Sequence, residues 1–158
     1  MPANNFAIMP SINCINLIKK FEGCNLHAYV DPGSGNKPIT IGYGSTVYQN
    51  NSSILLGQTI SQDEAESLLL WVVDNKAKGL DLVSPLLQCR LDAVVSFTYN
   101  VGLSAWNTSH LKQMIIANPA DPNIRMEFMK WVHAGAVVMQ GLITRRTAEA
   151  NLYFALHS

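Results

Sequence analysis

The segment from Leu17 to Thr46 constrains the fold most strongly, because its apolar residues change from helical to strand spacing within one short stretch. Leading into it, the apolar residues from Ile12 to Phe21 recur mainly every three or four positions, so they share one helix face. Two runs rich in β-branched and aromatic residues follow, Leu26–Val30 and Ile39–Tyr43, on either side of the turn sequence PGSGNK. The segment therefore predicts a helix followed directly by a β-hairpin.

Three polar side chains lie at the boundaries of these elements. Glu22 falls in the last helical turn, before the stop signal Gly23, where the negative end of the helix dipole disfavours an ionised carboxyl. Asp31 ends the first strand beside a polar turn and has no such reason to hold a proton. We expect Thr40 to face Asp31 across the hairpin and to help it hold a water molecule. A proton donor and a water-activating carboxylate are the layout of glycosidic bond hydrolysis, although each residue taken singly is more often an ordinary surface residue.

Composition indicates one folded domain over residues 1–158, with residues 1–10 as a loose lead-in. Of the 158 residues, 48% are apolar and 14% are charged, which argues against disorder. The formal net charge is zero, so nothing in the charge balance demands a nucleic acid as partner. No apolar stretch approaches the roughly 20 residues of a membrane span, and the opening MPANNFAIMP lacks the features of a signal peptide.

The three cysteines, Cys14, Cys24 and Cys89, show no spacing typical of metal ligands. We therefore expect reduced thiols and no metal site, and hydrolysis by carboxyl groups needs no cofactor. A bridge between Cys14 and Cys24 would join the start of one helix to its end, which is a poor geometry. Cys24 follows the candidate acid closely, but it has no His at a spacing that would make it a nucleophile.

Beyond the hairpin the pattern is mainly helical. Ser61–Glu64 is a capping-box signature, and the apolar run Leu68–Val73 predicts that the helix it opens is largely buried. Asp121-Pro122 predicts a further helix start, and Thr46–Tyr48 is a candidate third strand. The predicted helices are 11–22 with Ser11 as cap, 61–78, 86–101, 109–117 with Thr108 as cap, 121–133 and 142–156, with a loop from Gly135 to Gly141.

Several motifs together resemble a known family. Phe21-Glu22-Gly23, Asp31-Pro32-Gly33 and Thr40-Ile41-Gly42-Tyr43-Gly44 are similar to the active-site region of phage-type lysozymes, the endolysins of glycoside hydrolase family 24. Val95–Gly102 resembles a helix in the middle of that domain. Trp131–Gly135 and Gly141–Glu149 resemble its C-terminal helices. The order of the motifs from about Ser11 to Tyr153 is also the order found in the family.

The resemblance implies an α+β, lysozyme-like fold: a small N-terminal β-hairpin lobe, a larger all-helical lobe and a cleft between them. It implies hydrolysis of the peptidoglycan bond between N-acetylmuramic acid and N-acetylglucosamine, with inversion. For the matching residues of this sequence, the resemblance implies that Glu22 is the general acid. It implies that Asp31 positions or activates the water molecule, with the hydroxyl of Thr40 as its partner. The positions it implies for substrate binding are Tyr43, Thr46, Tyr99, Asn100 and His110. We expect Phe97 and Trp106 to be core aromatics rather than a sugar-stacking row.

The chain departs from the family pattern at two places. Many relatives have three fewer residues between the Asp and the Thr, so the hairpin turn is extended here, and many carry a His where this chain has Ser45. Arg145 and Arg146 are open to two interpretations, as solvated helix charges or as active-site residues. Adjacent residues on a helix point in different directions, so at most one of them faces the active site. An arginine beside Glu22 would oppose its holding a proton.

Two alternatives to hydrolysis remain open: a lytic transglycosylase acting on the same bond, and a peptidoglycan-binding module with an inactive site. The presence of Asp31 and Thr40 favours hydrolysis over the transglycosylase. We expect a monomer that binds glycan strands, with no nucleic-acid partner and no membrane insertion. We expect synthesis in the host cytoplasm, no signal peptide, and action on the wall in the periplasm or outside the cell. A holin-type membrane protein is a candidate partner for release.

Overall fold

The computed structural model describes residues 6–7, 9–32 and 38–155, and within this part helices alternate with short strand pairs. The strands are β1 (Phe6–Ala7), β2 (Asn25–Val30), β3 (Ile39–Gly42), β4 (Leu86–Leu87), β5 (His133–Ala134) and β6 (Val137–Val138). The helices are α1 (Ile12–Glu22), α2 (Gln62–Lys78), α3 (Gln88–Val101), α4 (Leu103–Thr108), α5 (His110–Ala117), α6 (Ile124–Met129) and α7 (Gln140–Tyr153). The strands pair antiparallel as β1–β4, β2–β3 and β5–β6.

Helix α1 begins and ends where the sequence predicts. The extended backbone of Ser11 places its hydroxyl oxygen to accept a hydrogen bond from the amide of Asn13 at 3.1 Å, which caps the helix. Gly23 ends the helix with a φ of 65°, a left-handed conformation that glycine adopts without steric cost. The predicted position of Glu22 in the last turn is therefore confirmed.

The hairpin follows directly, but its register differs from the predicted one. Thr40 lies opposite Tyr29, whereas the amide of Asp31 donates a hydrogen bond to the carbonyl of Pro38 at 3.0 Å. The prediction that Asp31 and Thr40 face each other directly is thus wrong. Because partners across a ladder share a face and side chains alternate along a strand, Asp31 and Thr40 are diagonal neighbours on the same face. Residues 33–37 of the extended turn lie outside the described part.

Most of the core belongs to the helices. Helix α3 packs against α1, α2, α4 and α7, and ten consecutive residues from Cys89 to Thr98 are buried. The Phe97 ring makes edge contacts with Trp106, Phe128 and Trp131, with centroids 6.5, 5.6 and 5.3 Å away. The prediction that Phe97 and Trp106 are core residues is confirmed, since both are fully buried.

A second, smaller cluster packs under the hairpin. Ile41 of β3 and Ile54 of the following loop meet Leu68 of α2 there, while Leu69 of the same helix faces the main core. Helix α2 thus contributes to both cores and joins the two parts. A hairpin with its own small core beside a larger helical lobe confirms the predicted α+β architecture. None of the helices described here is long and apolar enough to cross a membrane.

The first half differs from prediction at several further points. Phe6 and Ala7 are not a loose lead-in, because they pair with Leu86 and Leu87, and this pairing delays the start of α3 to Gln88. Most of the remaining lead-in lies outside the described residues. The Ser61 capping box is confirmed, but α2 is less buried than predicted, since Leu70 is 53% exposed.

The predicted third strand, Thr46–Tyr48, is reduced to an isolated bridge between Val47 and Ser53, with another bridge from Ile41 to Ser45 just before it. This short looped segment follows β3 closely. It therefore stays beside the hairpin without adding a strand to it.

The second half shows the largest differences. Helix α4 occupies part of a region without a predicted helix, and Thr108 ends α4, so Ser109 rather than Thr108 caps α5. The predicted helix 121–133 is wrong at both ends. The Asp121 carboxylate accepts a hydrogen bond from the amide of Asn123 in a turn, and only Ile124–Met129 is α-helical.

The β5–β6 hairpin replaces the end of that predicted helix and part of the predicted loop that follows. Helix α7 then begins at Gln140 and ends at Tyr153. The final residues of the predicted helix 142–156 reach Leu156, which lies outside the described part.

Candidate active site

Glu22 lies at the end of α1 with one carboxylate oxygen held by the helical lobe. Its Oε1 accepts a hydrogen bond from Nη1 of Arg145 at 2.5 Å, while 22% of its side chain remains exposed. Gly44, at a φ of 91°, brings the segment after β3 so close that a Cβ there would lie 3.5 Å from Oε2 of Glu22. The carboxyl group therefore sits between the hairpin lobe and α7.

The two arginines of α7 point in different directions, as the sequence predicts, and only Arg145 contacts Glu22. Arg145 is 4% exposed, and Arg146 is fully buried. Arg146 donates instead to Glu149, to the side chain of Asn100 and, at 3.0 Å, to the carbonyl of Trp131. Their interpretation as solvated helix charges is wrong, because both guanidinium groups are buried and fully engaged.

Arg145 brings a positive charge to a carboxyl at the negative end of a helix. The sequence left undecided whether an arginine lies beside Glu22, and the structure places Arg145 on that carboxyl.

Thr40 and Asp31 complete the set of predicted catalytic residues. Thr40 is 4% exposed, yet its hydroxyl has no hydrogen-bond partner among the described residues. Asp31 is partly buried at the end of β2. The hairpin register places both side chains on one face, as required of two groups that share a water molecule.

Tyr99 joins α3 to the segment after β3. Its hydroxyl donates a hydrogen bond to the carbonyl of Tyr43 at 2.7 Å. Burial, together with the charge of Glu22, raises the pKa of Tyr99. The phenol therefore stays neutral and holds the end of the hairpin against the helical lobe.

Tyr43 packs against α2 rather than into a groove. Its ring is buried, and its hydroxyl donates to Oε1 of Glu66 at 2.8 Å and accepts from Nε2 of Gln62 at 3.1 Å. Burial and the hydrogen bond to Glu66 raise the pKa of Tyr43 to about 12. This burial leaves little ring surface for the substrate-binding role predicted for Tyr43.

A cavity of about 280 Å³ opens beside Gly44, between the hairpin lobe and helices α2, α3 and α4. Two predicted substrate-binding residues, Thr46 and Tyr99, line it together with Ser45. The same cavity is lined by residues of α2 for which the sequence predicted no site role, namely Trp71, Asn75 and Lys76. Trp71 lies within the apolar run predicted to be buried, so nothing in the sequence separated it from the core residues beside it. Burial lowers the pKa of Lys76.

Asn100 and His110 lie elsewhere. Asn100 accepts a hydrogen bond from Arg146 and lines a second cavity, of about 360 Å³, with Lys130, Trp131 and His133. His110 is 63% exposed, and its Nδ1 lies 3.2 Å from Oε2 of Glu127. The structure thus does not bring these two residues into the cavity that Thr46 and Tyr99 line.

The site offers carboxyl and hydroxyl chemistry. Within the described part of the chain, no three His, Cys, Asp or Glu side chains are grouped so that they could hold a metal ion. All three cysteines are free thiols, with Cys14 and Cys89 buried and Cys24 exposed. A helix-end carboxyl held by the helical lobe and lying against the segment after the hairpin is the arrangement of a lysozyme-like protein.

Comparison with known proteins agrees with this class. The phage lysozyme family model matches residues 19–149. An endolysin of Bacillus phage B103 is 40% identical over 88% of this chain and 51% of its own length. An endolysin of Acyrthosiphon pisum secondary endosymbiont phage 1 is 35% identical over 87% of this chain and 92% of its own length. This chain belongs to the phage lysozyme family.

Solved structures support the same assignment. An endolysin from Escherichia coli O157:H7 phage FAHEc1 superposes with a TM-score of 0.79 at 30% identity, covering 91% of this chain and 92% of its own. The chain spans about half the length of the Bacillus phage relative but nearly all of this structure.

Proposed function

We propose that this protein hydrolyses peptidoglycan in phage-mediated lysis of bacterial cells. It cleaves the β-1,4 bond between N-acetylmuramic acid and N-acetylglucosamine. The observation that carries this proposal is the position of Glu22. Its carboxyl lies at the end of α1, partly exposed, held by buried Arg145 and adjacent to the segment that follows Thr40. Membership of the phage lysozyme family supports the reaction class.

In the proposed mechanism Glu22 is the general acid. It donates its proton to the glycosidic oxygen as the bond to the leaving sugar breaks. Asp31 accepts a proton from a water molecule that attacks the anomeric carbon from the opposite face, and the hydroxyl of Thr40 positions that water. Attack from the opposite face inverts the anomeric configuration. The buried hydroxyl of Thr40 suits this role, because it has no hydrogen-bond partner among residues 9–32 and 38–155 that would have to be displaced by water.

Replacing Glu22 by Gln tests the acid. The substitution keeps the shape of the side chain but removes the transferable proton, so we expect clearing of a bacterial wall suspension to slow by at least about 100-fold. Asp63→Asn is the matched control, since Asp63 is an exposed carboxyl at the start of α2, and it should clear walls like wild type. Equal clearing by Glu22→Gln and wild type would exclude Glu22 as the acid.

The same assay distinguishes a hydrolase from a peptidoglycan-binding module with an inactive site. If the wild type pellets with peptidoglycan but never clears it, the protein is a binder. The lytic transglycosylase is separated by mass spectrometry of the released fragments. Hydrolysis adds one water molecule to each cleaved bond, whereas the transglycosylase product is an anhydro sugar of lower mass. Release of reducing ends with normal mass supports hydrolysis.

The proposed setting is the wall of a bacterial host. The glycan strand is the substrate, and the protein acts on it as a monomer in the periplasm or outside the cell after synthesis in the host cytoplasm. A holin-type membrane protein is the proposed partner for release. Expression with and without such a protein, followed by culture turbidity, tests that dependence.

A further inference from the structure

Glu149 of α7 is a fully buried carboxylate to which the proposed reaction assigns no role. Its Oε1 accepts hydrogen bonds from Nε of Arg145 at 3.1 Å and from the hydroxyl of Ser96 at 2.8 Å. Its Oε2 accepts from Nη1 of Arg146. One buried carboxylate therefore faces both guanidinium groups of α7.

Arg145 connects this carboxylate to Glu22. Its Nη1 donates to Glu22 on α1 at 2.5 Å, its Nη2 donates to the carbonyl of Ser96 on α3 at 3.1 Å, and its Nε donates to Glu149. The donors of a guanidinium group point in fixed directions within one plane. The bond from Nε to Glu149 therefore helps to determine where Nη1 points.

The charges of this cluster depend on the protonation of Glu22. When Glu22 is ionised, Arg145 and Arg146 are balanced by Glu22 and Glu149. When Glu22 holds its proton, a single positive charge remains. Without the charge of Glu149, each state would carry one more positive charge, and loss of the proton from Glu22 would become more favourable.

We propose that Glu149 is a positioning residue for the acid. It aims Arg145 at Glu22 and offsets part of the positive charge that the two guanidinium groups of α7 place near that carboxyl. The inference rests on the proposed function in that it takes Glu22 as the acid. It explains how an acid can operate beside a buried arginine.

The other titratable groups around Glu22 come from four elements. Tyr99 of α3 is neutral, because burial and the charge of Glu22 raise its pKa, and Cys14 on the buried face of α1 is neutral, because burial and the charge of Asp92 raise its pKa. Asp31 of the hairpin is the second carboxyl of the proposed site.

Two lysines share α1 with Glu22. Lys19 pairs with Glu66 of α2, and Lys20 lies over the Phe21 ring at 5.6 Å. On α7, burial lowers the pKa of Arg146, whereas the charge of Glu149 raises it. The charge of Glu149 also contributes to the raised pKa of Cys14, but burial is the larger cause, so we expect that thiol to stay neutral when Glu149 is replaced.

The test measures the pH dependence of two quantities in Glu149→Gln, Arg146→Gln and wild type. One is the rate of reducing-end release from purified peptidoglycan. The other is the protonation of Glu22, followed by carbon-13 NMR of its carboxyl group. For Glu149→Gln we expect the alkaline limb of activity and the NMR midpoint to fall by about one pH unit. For Arg146→Gln we expect both to rise, because that variant removes a positive charge.

Two controls distinguish charge from packing. Glu149→Asp retains the charge and should keep both midpoints near those of wild type even if the protein is less stable. Glu127→Gln removes another buried, ion-paired carboxylate, one that contacts His110 and Lys130 instead, and should leave both midpoints in place. If Glu149→Gln does not fold, the upward shift of Arg146→Gln carries the test.

The inference is overturned if Glu149→Gln or Arg146→Gln loses stability while the midpoints stay at the wild-type pH. Failure of the proposed function gives a different result. In that case wild type releases no reducing ends, yet the NMR midpoint still reports whether Glu149 governs the protonation of Glu22.

Discussion

Thr40 shows at the scale of a single residue how a functional group differs from a packing group. Buried hydroxyl groups in proteins nearly always have a hydrogen-bond partner, since an unmade bond costs about 1–3 kcal/mol. Thr40 is buried without such a partner in the described part of the chain. Buried Thr98, by contrast, donates to the carbonyl of Val95 at 3.0 Å. The Thr40 hydroxyl lies on the face that also carries Asp31. A hydroxyl with these properties is expected to bind water or substrate rather than to stabilise packing.

This contrast yields a prediction for Thr40→Val. The valine side chain has a similar shape but no hydroxyl, so we expect wall-clearing activity to fall by about 100-fold or more. The free energy of unfolding should change by less than about 1 kcal/mol, because the Thr40 hydroxyl makes no hydrogen bond to any residue that the structure describes. Urea unfolding and a turbidity assay check the two parts. Thr98→Val is the control, with the opposite pattern of lower stability and retained activity.

At the scale of an element, the start of α5 shows how two good capping residues compete. Thr108 and Ser109 are both suitable N-caps. In the structure Thr108 is the last residue of α4, and its hydroxyl bonds back to the carbonyls of Ser104 and Ala105. Ser109 has an extended backbone, accepts from the amide of Lys112 at 3.0 Å and donates to the carbonyl of Trp106 at 2.7 Å. The unpredicted helix α4 therefore shifts the cap by one residue.

Alanine substitution distinguishes the two positions. We expect Ser109→Ala to lower the free energy of unfolding by about 1–2 kcal/mol, because it removes a cap and one of the two hydrogen bonds that residue 109 donates to the carbonyl of Trp106. Thr108→Ala should cost less than about 0.5 kcal/mol, since Thr108 is exposed and is not a cap. Urea unfolding of both variants decides the matter. A larger loss for Thr108→Ala would support the cap predicted from sequence.

At the scale of the whole molecule, α1 and α2 are tied together by charged and polar contacts as well as by the core. Lys19 of α1 pairs with Glu66 of α2, and Glu66 also accepts from the hydroxyl of Tyr43. The pKa of Glu66 is lowered mainly by the hydrogen bond from Lys19 and, to a smaller extent, by the hydrogen bond from Tyr43. Helix α2 also joins the two cores, so this contact links the helix that carries the proposed acid to both lobes.

The lowered pKa of Glu66 predicts a pH dependence of stability. A carboxyl whose folded pKa is lowered stabilises the fold above its unfolded pKa of about 4.3, and that contribution is lost as the pH falls through the folded pKa. Glu66→Gln should therefore be less stable than wild type at neutral pH, with the difference shrinking in acid. Lys19→Met, which removes the other partner of the ion pair, should likewise be less stable than wild type at neutral pH, with a smaller difference in acid. Urea unfolding across the acid range checks this, and a constant difference at all pH values would contradict it.

Local signals in the sequence were sufficient for the opening helix, the hairpin, the capping box of α2 and the family. The first three depend on residues close together in the chain: Ser11 and Gly23 at the ends of α1, the two apolar runs that form β2 and β3, and Ser61 with Glu64. Such interactions form within a turn or two of backbone, so the residue order alone specifies them. The position of Glu22 in the last turn of α1 is a consequence of the same kind. The family resemblance depends on several short motifs and on their order.

Tertiary structure alone decided what surrounds Glu22. Its contact with Arg145 joins residues 123 positions apart, and Glu149 reaches Ser96 across 53. Residue spacing shows that Arg145 and Arg146 diverge, but not which one meets Glu22, nor that both are buried. Likewise, pairing with β1 moved the start of α3. Contacts between distant segments depend on how whole helices pack, and that packing is a property of the folded chain rather than of any short stretch within it.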